Sequence, residues 1–253
     1  MLYFGSFNPV HKGHIALAEY VVERGLCDTV VLVVSPQNPM KRESSLLPEM
    51  TRFEMAETAC RESKYPDRIQ ASAVEFILEK PSYTINTLRF LEENNGSEMR
   101  FSILMGADNI ENFHHWREYE TILDRYEIWV YPREGYSAEG YEGKVHMLED
   151  APLFDCSSTE IRNALRNGRD VSGQLSAGVC DYIIKNRLFP RIDNETGPLK
   201  EQGRTHYGRN EWGAALNAFR KVLEINPDDA EAREYTAMIE EILAFRYKDI
   251  YNP

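Results

Sequence analysis

Two histidines stand three residues apart in the run Gly5-Ser6-Phe7-Asn8-Pro9-Val10-His11-Lys12-Gly13-His14. That spacing puts both imidazoles on one turn, where they can face the same anion. Gly5 and Gly13 have no Cβ, so the backbone around them can approach that anion closely. The elements on either side make the anion a phosphate. Leu2-Tyr3-Phe4 reads as the end of a buried strand, while Ile15, Leu17, Ala18, Val21 and Val22 recur at helical spacing. A strand, a tight turn and a helix start leave unpaired N–H groups and the positive end of a helix dipole on the turn. The run follows neither the Walker spacing nor the Gly-x-Gly-x-x-Gly of dinucleotide sites.

A second chemical stretch is Ser157-Ser158-Thr159-Glu160-Ile161-Arg162. Ser157 or Ser158 makes a good N-cap, and Arg162 falls on the first turn of the helix that follows. The hydroxyls of Ser158 and Thr159, free N–H groups and a guanidinium at one helix end can wrap a polyphosphate. A third stretch, Gly106-Ala107-Asp108-Asn109, follows the apolar run Arg100 to Met105 and sets a carboxylate and an amide at the carboxyl end of a strand. Open α/β sheets bind ligands at that edge. Trp116, within His114-His115-Trp116-Arg117-Glu118, has polar neighbours that favour a ligand face over a core position.

The elements between these stretches alternate. Thr29 to Val34 is a continuous β-branched run suited to an interior parallel strand. Pro48 opens a helix reaching about Cys60, with Phe53, Met55, Ala56 and Ala59 inward. A weaker strand is expected near Ile69 to Phe76, then a helix after Pro81-Ser82-Tyr83-Thr84 that ends at Asn94-Asn95-Gly96. Strands at Glu127 to Tyr131 and Val145 to Leu148 and a helix at Ala177 to Leu188 complete the pattern. The order predicts an α/β fold, a Rossmann-like doubly wound parallel sheet with right-handed crossovers.

Composition narrows the partners. A chain of 253 residues, 42% hydrophobic, can bury a sizeable core. Its net charge of -12 excludes a general nucleic-acid binder, so any phosphate site must be local. The four cysteines, Cys27, Cys60, Cys156 and Cys180, show no metal-binding spacing, and no metal ligand set is expected; reduced thiols fit a cytoplasmic location. No signal sequence and no run of about eighteen apolar residues occurs, so no membrane partner is expected.

Residues 193–253 read as a different object from the domain expected over 1–192. Gly203, Tyr207, Trp212, Ala215, Phe219, Val222 and Pro227 follow the spacing of one tetratricopeptide repeat, and Asp228-Asp229 caps a further helix. One repeat with a capping helix is fewer than the roughly three that stand alone, so this all-α module is expected to pack on the catalytic domain or on another copy, or to dock a protein partner. Oligomeric state is left open.

The run His11-Lys12-Gly13-His14 resembles the His-x-Gly-His signature of the nucleotidylyltransferase superfamily. With Pro81-Ser82-Tyr83-Thr84, Gly106-Ala107-Asp108-Asn109, Trp116 and Ser157-Ser158-Thr159-Glu160-Ile161-Arg162 in order, residues 1 to 190 resemble the bacterial nicotinate-nucleotide adenylyltransferases. The resemblance implies attack by a phosphate oxygen of nicotinate mononucleotide on the α-phosphorus of ATP, with pyrophosphate leaving. It implies catalytic roles for His11, His14, Lys41 and Arg162, with Mg2+ arriving on the phosphates. It further implies ATP contacts from Gly5, Ser6, Phe7, Gly13, Gly106, Asp108, Ser158 and Thr159. Trp116 would stack on the pyridine, backbone N–H groups near Thr84 and Arg117 would receive its carboxylate, Tyr83 would shape the pocket, and Arg133 would reach the mononucleotide phosphate. Three departures stand out: Met40 precedes Lys41 where many members have histidine, Arg117 replaces a common aromatic, and the first strand is short, which suggests a natural start a few residues upstream. Transfer to nicotinamide mononucleotide or a pantetheine phosphate, and a silent nucleotide-binding scaffold acting through its tail, are the alternatives.

Overall fold

A computed structural model describes residues 1–36, 46–96, 98–133, 135–152, 154 and 156–248. Lys41 lies outside the described residues. Six parallel strands, β1 (Leu2–Gly5), β2 (Val30–Val34), β3 (Ile69–Ser72), β4 (Ser102–Gly106), β5 (Glu127–Tyr131) and β6 (His146–Met147), form one sheet. Their spatial order is β3-β2-β1-β4-β5-β6. This is a Rossmann-like doubly wound sheet, and its order reverses between β1 and β4, which pair through Leu2 with Ile103 and Tyr3 with Leu104. The inner strands read as unbroken apolar runs because helices cover both faces: Val30, Leu32, Val33, Ile103, Leu104, Ile128 and Val130 are fully buried.

The crossovers are α1 (Lys12–Glu23), α2 (Glu49–Arg61) and α3 (Thr84–Asn95), then the short α4 (Ala107–Ile110) and α5 (Tyr119–Arg125), with α6 (Ser158–Arg166) and α7 (Ala177–Lys185) following β6. Helix α1 buries Leu17, Ala18, Val21 and Val22, the stripe its periodicity demands. Helix α2 departs from expectation: its buried face carries Arg52 beside Met55, Ala56, Ala59 and Cys60. The third strand is also shorter than its apolar run. Pairing with β2 stops at Ser72, and Val74–Ile77 coils into a 3-10 turn that buries Glu75, a carboxylate that a strand pattern cannot accommodate.

The chain divides into two compact units, one of residues 1–162 and 171–186, the other of 163–170 and 187–253. The second holds α8 (Ile192–Gly208), α9 (Trp212–Ile225) and α10 (Ala230–Lys248). Its core gathers Ala215, Leu216, Phe219, Val222, Ala232 and Ile239. Phe219 stacks on Tyr235 with centroids 4.5 Å apart, and Tyr207 meets both Trp212 and Tyr235 edge-on. No helix among the described residues is long and apolar enough to cross a membrane.

Candidate active site

The chain leaves β1 at Gly5 and turns into α1 with His11 as the N-cap residue. Phe7 takes a left-handed backbone, φ 45°, which a bulky residue adopts only where packing enforces it. Here the enforcement is visible: its ring is buried, edge-on to Tyr3 at 5.6 Å and to His14 at 5.0 Å. Gly5 completes the fit, because a Cβ there would lie 2.9 Å from the Phe7 ring.

The two histidine rings lie against each other, tilted by 31° with centroids 3.6 Å apart. The backbone N–H of His11 donates to Nδ1 of His14 at 3.1 Å, the reach-back contact that a Glu or Gln makes in a capping box. With Nδ1 accepting, the proton of a neutral His14 resides on Nε2. His11 is buried, and burial, with the positive charge of Arg133, brings its imidazole down from 6.5 to about 4. It is therefore neutral at pH 7 and can bind an anion as a hydrogen-bond donor rather than as a cation. Its Nδ1 lies 3.6 Å from the Cys156 sulfur.

Helix α6 is capped by Ser157, whose Oγ accepts from the Glu160 N–H at 3.2 Å while Glu160 accepts the Ser157 N–H at 2.8 Å. The cap turns the next residues toward the first loop. Ser158 Oγ donates to the Pro9 carbonyl at 2.9 Å. Arg162 donates to the Asn8 carbonyl at 2.8 Å and to Thr159 Oγ1 at 3.1 Å. The two stretches singled out for phosphate chemistry are thus bonded to each other. Lys12, although inside the signature, braces the chain from outside the cleft, donating to the carbonyls of Ser172 and Gly173.

Both stretches open on a cleft of about 410 Å³ at the carboxyl ends of β1 and β4. Gly5, Ser6, Phe7, His11, His14, Ser158, Thr159 and Arg162 line it, as do Tyr83, Thr84, Asp108, Trp116, Arg117 and Arg133. Gly13 and Gly106 stand behind this wall and keep room for it. A Cβ on Gly13 would lie 3.0 Å from His11 Nδ1, and one on Gly106 would lie 2.3 Å from Asp108 Oδ1 and 3.0 Å from Arg133 Nε. That last pair forms an ion pair at 3.2 Å. Arg133 also donates to the Tyr131 hydroxyl at 2.9 Å, and Tyr131 in turn lies 3.2 Å from the Tyr3 hydroxyl.

Across the switch point, α3 begins at Thr84 with Tyr83 as its N-cap residue. The first bonds back to the Tyr83 carbonyl come from the N–H groups of Asn86 and Thr87, so those of Thr84 and Ile85 have no partner within the helix. Arg117 lays its guanidinium over the Tyr83 ring, 5.1 Å from the centroid. Trp116 packs one side on Phe113, centroids 5.2 Å apart, and is half-buried with the rest of its ring on the cleft.

Several lining residues were invisible as site residues. Tyr3 and Tyr131 look like strand aromatics; the hint was a hydroxyl at strand positions where Phe would pack as well. Glu75 interrupts an apolar run and accepts from Ser82 Oγ at 3.1 Å and Thr87 Oγ1 at 2.9 Å. Burial raises its pKa, and those hydroxyls oppose the rise. Ser82 and Thr87 flank Tyr83 and Thr84, so this carboxylate anchors the start of α3.

The cytidylyltransferase-like family profile matches residues 2–164. The chain is 38% identical over 194 residues to a probable nicotinate-nucleotide adenylyltransferase of Flavobacterium johnsoniae, covering 75% of this chain and 98% of that one. A Bacteroides fragilis protein of the same description is 40% identical over 207 residues, covering 81% and 96%. Among solved structures, the Plasmodium falciparum nicotinic acid mononucleotide adenylyltransferase complexed with NaAD superposes with a TM-score of 0.64 at 19% identity, covering 74% of this chain and 95% of that one.

Proposed function

The chain belongs to the cytidylyltransferase-like family, with bacterial nicotinate-nucleotide adenylyltransferases as relatives, and on that premise we propose that the cleft joins nicotinate mononucleotide to the adenylyl group of ATP. The observation that carries this reading is one cleft at the switch point that combines two kinds of recognition. Histidine donors and the α6 terminus serve a polyphosphate, while an aromatic face beside α3 N–H groups that have no partner within the helix serves a flat anionic ring.

In this reading a phosphate oxygen of the mononucleotide attacks the α-phosphorus of ATP in line. The bond from that phosphorus to the bridging oxygen of the β-phosphate breaks, and pyrophosphate leaves with the electron pair. No proton transfer or covalent enzyme intermediate is needed, so positioning and charge stabilisation supply the rate. His14 Nε2–H and the neutral His11 donate to the α-phosphate oxygens as charge gathers there. Arg162, the Thr159 hydroxyl and the Ser158 backbone N–H hold the departing phosphates, a role to which Lys41 also belongs. Asp108 takes a ribose hydroxyl, and Arg133 the mononucleotide phosphate. Magnesium would neutralise phosphate charge when bound. Such a cation commonly keeps waters and binds mostly through substrate phosphates.

The pyridine ring would rest on Trp116, with its carboxylate at the N–H groups of Thr84 and Ile85 beside Arg117. A carboxamide would turn an NH2 toward these donors and leave some unpaired, which favours the acid. We also propose that residues 193–253 are one tetratricopeptide repeat with a capping helix, a reading supported by Gly203, where a Cβ would lie 2.8 Å from the Phe219 ring.

The deciding experiment is pyrophosphate release from magnesium ATP with nicotinate mononucleotide and, separately, with nicotinamide mononucleotide. Release with the acid at least tenfold faster than with the amide supports the reading. Release with neither overturns it.

A further inference from the structure

Among the described residues Arg52 is the largest side chain that is fully buried, and it belongs to none of the site stretches described above. Its guanidinium donates four hydrogen bonds, all to backbone carbonyls: Ser6 at 2.6 Å, Ser35 at 2.7 Å, Pro36 at 2.8 Å and Leu47 at 2.9 Å. These acceptors belong to three separate segments: the phosphate loop after β1, the exit of β2, and the residues leading into α2. A fifth bond closes the same junction, from the Leu47 N–H to Asn8 Oδ1 at 3.2 Å. Among the described residues no carboxylate forms an ion pair with Arg52; burial lowers its pKa and the charge of Glu49 opposes that. A guanidinium taken out of water without an ion-paired carboxylate is costly, and four carbonyl dipoles offset it here with help from the charge of Glu49. Packing on its own would be served better by leucine or methionine at this position.

We propose that Arg52 is a positioning residue for the adenylyl transfer, holding the phosphate loop in the orientation that receives ATP. The inference rests on the reaction proposed above. Its physical content lies in the Ser6–Phe7 peptide. In a trans peptide the C=O and N–H point in opposite directions. Drawing the Ser6 carbonyl onto Arg52 therefore aims the Phe7 N–H away from it and sets the loop between Gly5 and His11, whose residues Ser6 and Phe7 line the cleft. The Pro36 and Leu47 bonds hold the two residues that bracket Lys41 in sequence. One planar fork thus ties the loop of the two histidines to Pro36 and Leu47. Lysine, a point charge with three donors on a flexible stem, cannot span acceptors on three segments.

The test compares Arg52→Lys and Arg52→Met with wild type in the full-length protein. Fold is checked by circular dichroism and thermal melting, and the steady-state constants for each substrate are read from pyrophosphate release. The expected result is a tenfold or greater fall in kcat/KM for ATP in both variants, with KM for nicotinate mononucleotide changed less than twofold. A general loosening of the fold would not split the two substrates in this way. Folded variants with wild-type constants, or with KM raised equally for both substrates, would overturn the role of Arg52 while leaving the reaction standing; a wild type that releases no pyrophosphate would overturn the reaction itself. If neither variant folds, hydrogen exchange on the wild type decides. Adding an unreactive α,β-methylene analogue of ATP should protect the peptides around Ser6 and Leu47 together, and protection at Ser6 alone would refute the coupling.

Discussion

His14 accepts the backbone N–H of His11 on Nδ1 at 3.1 Å, and this one bond leaves the proton of a neutral His14 on Nε2. A residue that carries its donor on a locked tautomer is already organised for charge that develops on a phosphate oxygen, and it needs no reorganisation during the transfer.

Removing that donor should therefore act on turnover. His14→Ala is expected to lower kcat by about 10²- to 10³-fold, the range for deleting one preorganised donor. KM for nicotinate mononucleotide should stay within about twofold of wild type, a margin set by uniform-binding logic. Steady-state pyrophosphate release measures both, and a fall in kcat of less than fivefold would remove His14 from the transition state.

His11 links stability to acidity. The unfolded chain takes up this proton below about pH 6.5, whereas the native imidazole resists it down to about 4 because of burial and Arg133. Between those values the unfolded state binds more protons, so stability falls as pH falls through the window. At pH 5 the loss amounts to about 2 kcal/mol relative to pH 7. Urea melts of wild type and His11→Asn at the two pH values should show a steeper decline in wild type; parallel declines would mean that His11 titrates normally.

Arg117 is exposed and carries its guanidinium over Tyr83 at the mouth of the pocket. Arg117→Ala should raise KM for nicotinate mononucleotide by about three- to tenfold, a modest change because solvent screens an exposed charge. Nicotinamide mononucleotide, with no charge on its amide, should be unaffected. Comparing the two substrates isolates the charge term, and an equal change for both would assign Arg117 to shape alone.

At Gly106 a Cβ would meet Asp108 Oδ1 at 2.3 Å. Gly106→Ala must push Asp108 away from Arg133, with an overpacking cost of about 1–3 kcal/mol. A lower melting temperature together with a raised KM for ATP is expected. Unchanged ATP kinetics would show that Asp108 does not serve that substrate.

In the tail, Gly203→Val places a side chain where the Phe219 ring already lies 2.8 Å from a Cβ. The three-helix core should lose about 1–3 kcal/mol, seen as faster proteolysis after residue 193, with pyrophosphate release retained. Loss of release in step with proteolysis would argue against a separate module.

The alternation of apolar runs was enough to read the sheet, because strands covered on both faces must be apolar throughout, and only right-handed crossovers join them. The phosphate loop was legible for a related reason. Gly5, Gly13 and the histidine pair are local requirements of a tight turn at a helix start, and local requirements are written in adjacent residues. Ser158 and Arg162 were legible as a helix start, and the resemblance set them at one site with the first loop, but their bonds to Pro9 and Asn8 were not legible because they cross most of the domain. Lys41 shows the limit in the other direction, a residue named from its motif that lies outside the described residues.

Arg52 and Glu75 mark what the sequence could not deliver. Each breaks an apolar pattern, and a pattern reader takes such a break for a surface position or the end of an element. Only the tertiary structure brings the Ser6, Ser35, Pro36 and Leu47 carbonyls to one guanidinium, or the Ser82 and Thr87 hydroxyls to one carboxylate. The sequence by itself determined the elements, their order and the glycine and histidine turn after β1, because propensity and periodicity act between near neighbours. The tertiary structure decided which buried polar groups hold that turn in place, because a charge removed from water must find its partners wherever the fold supplies them.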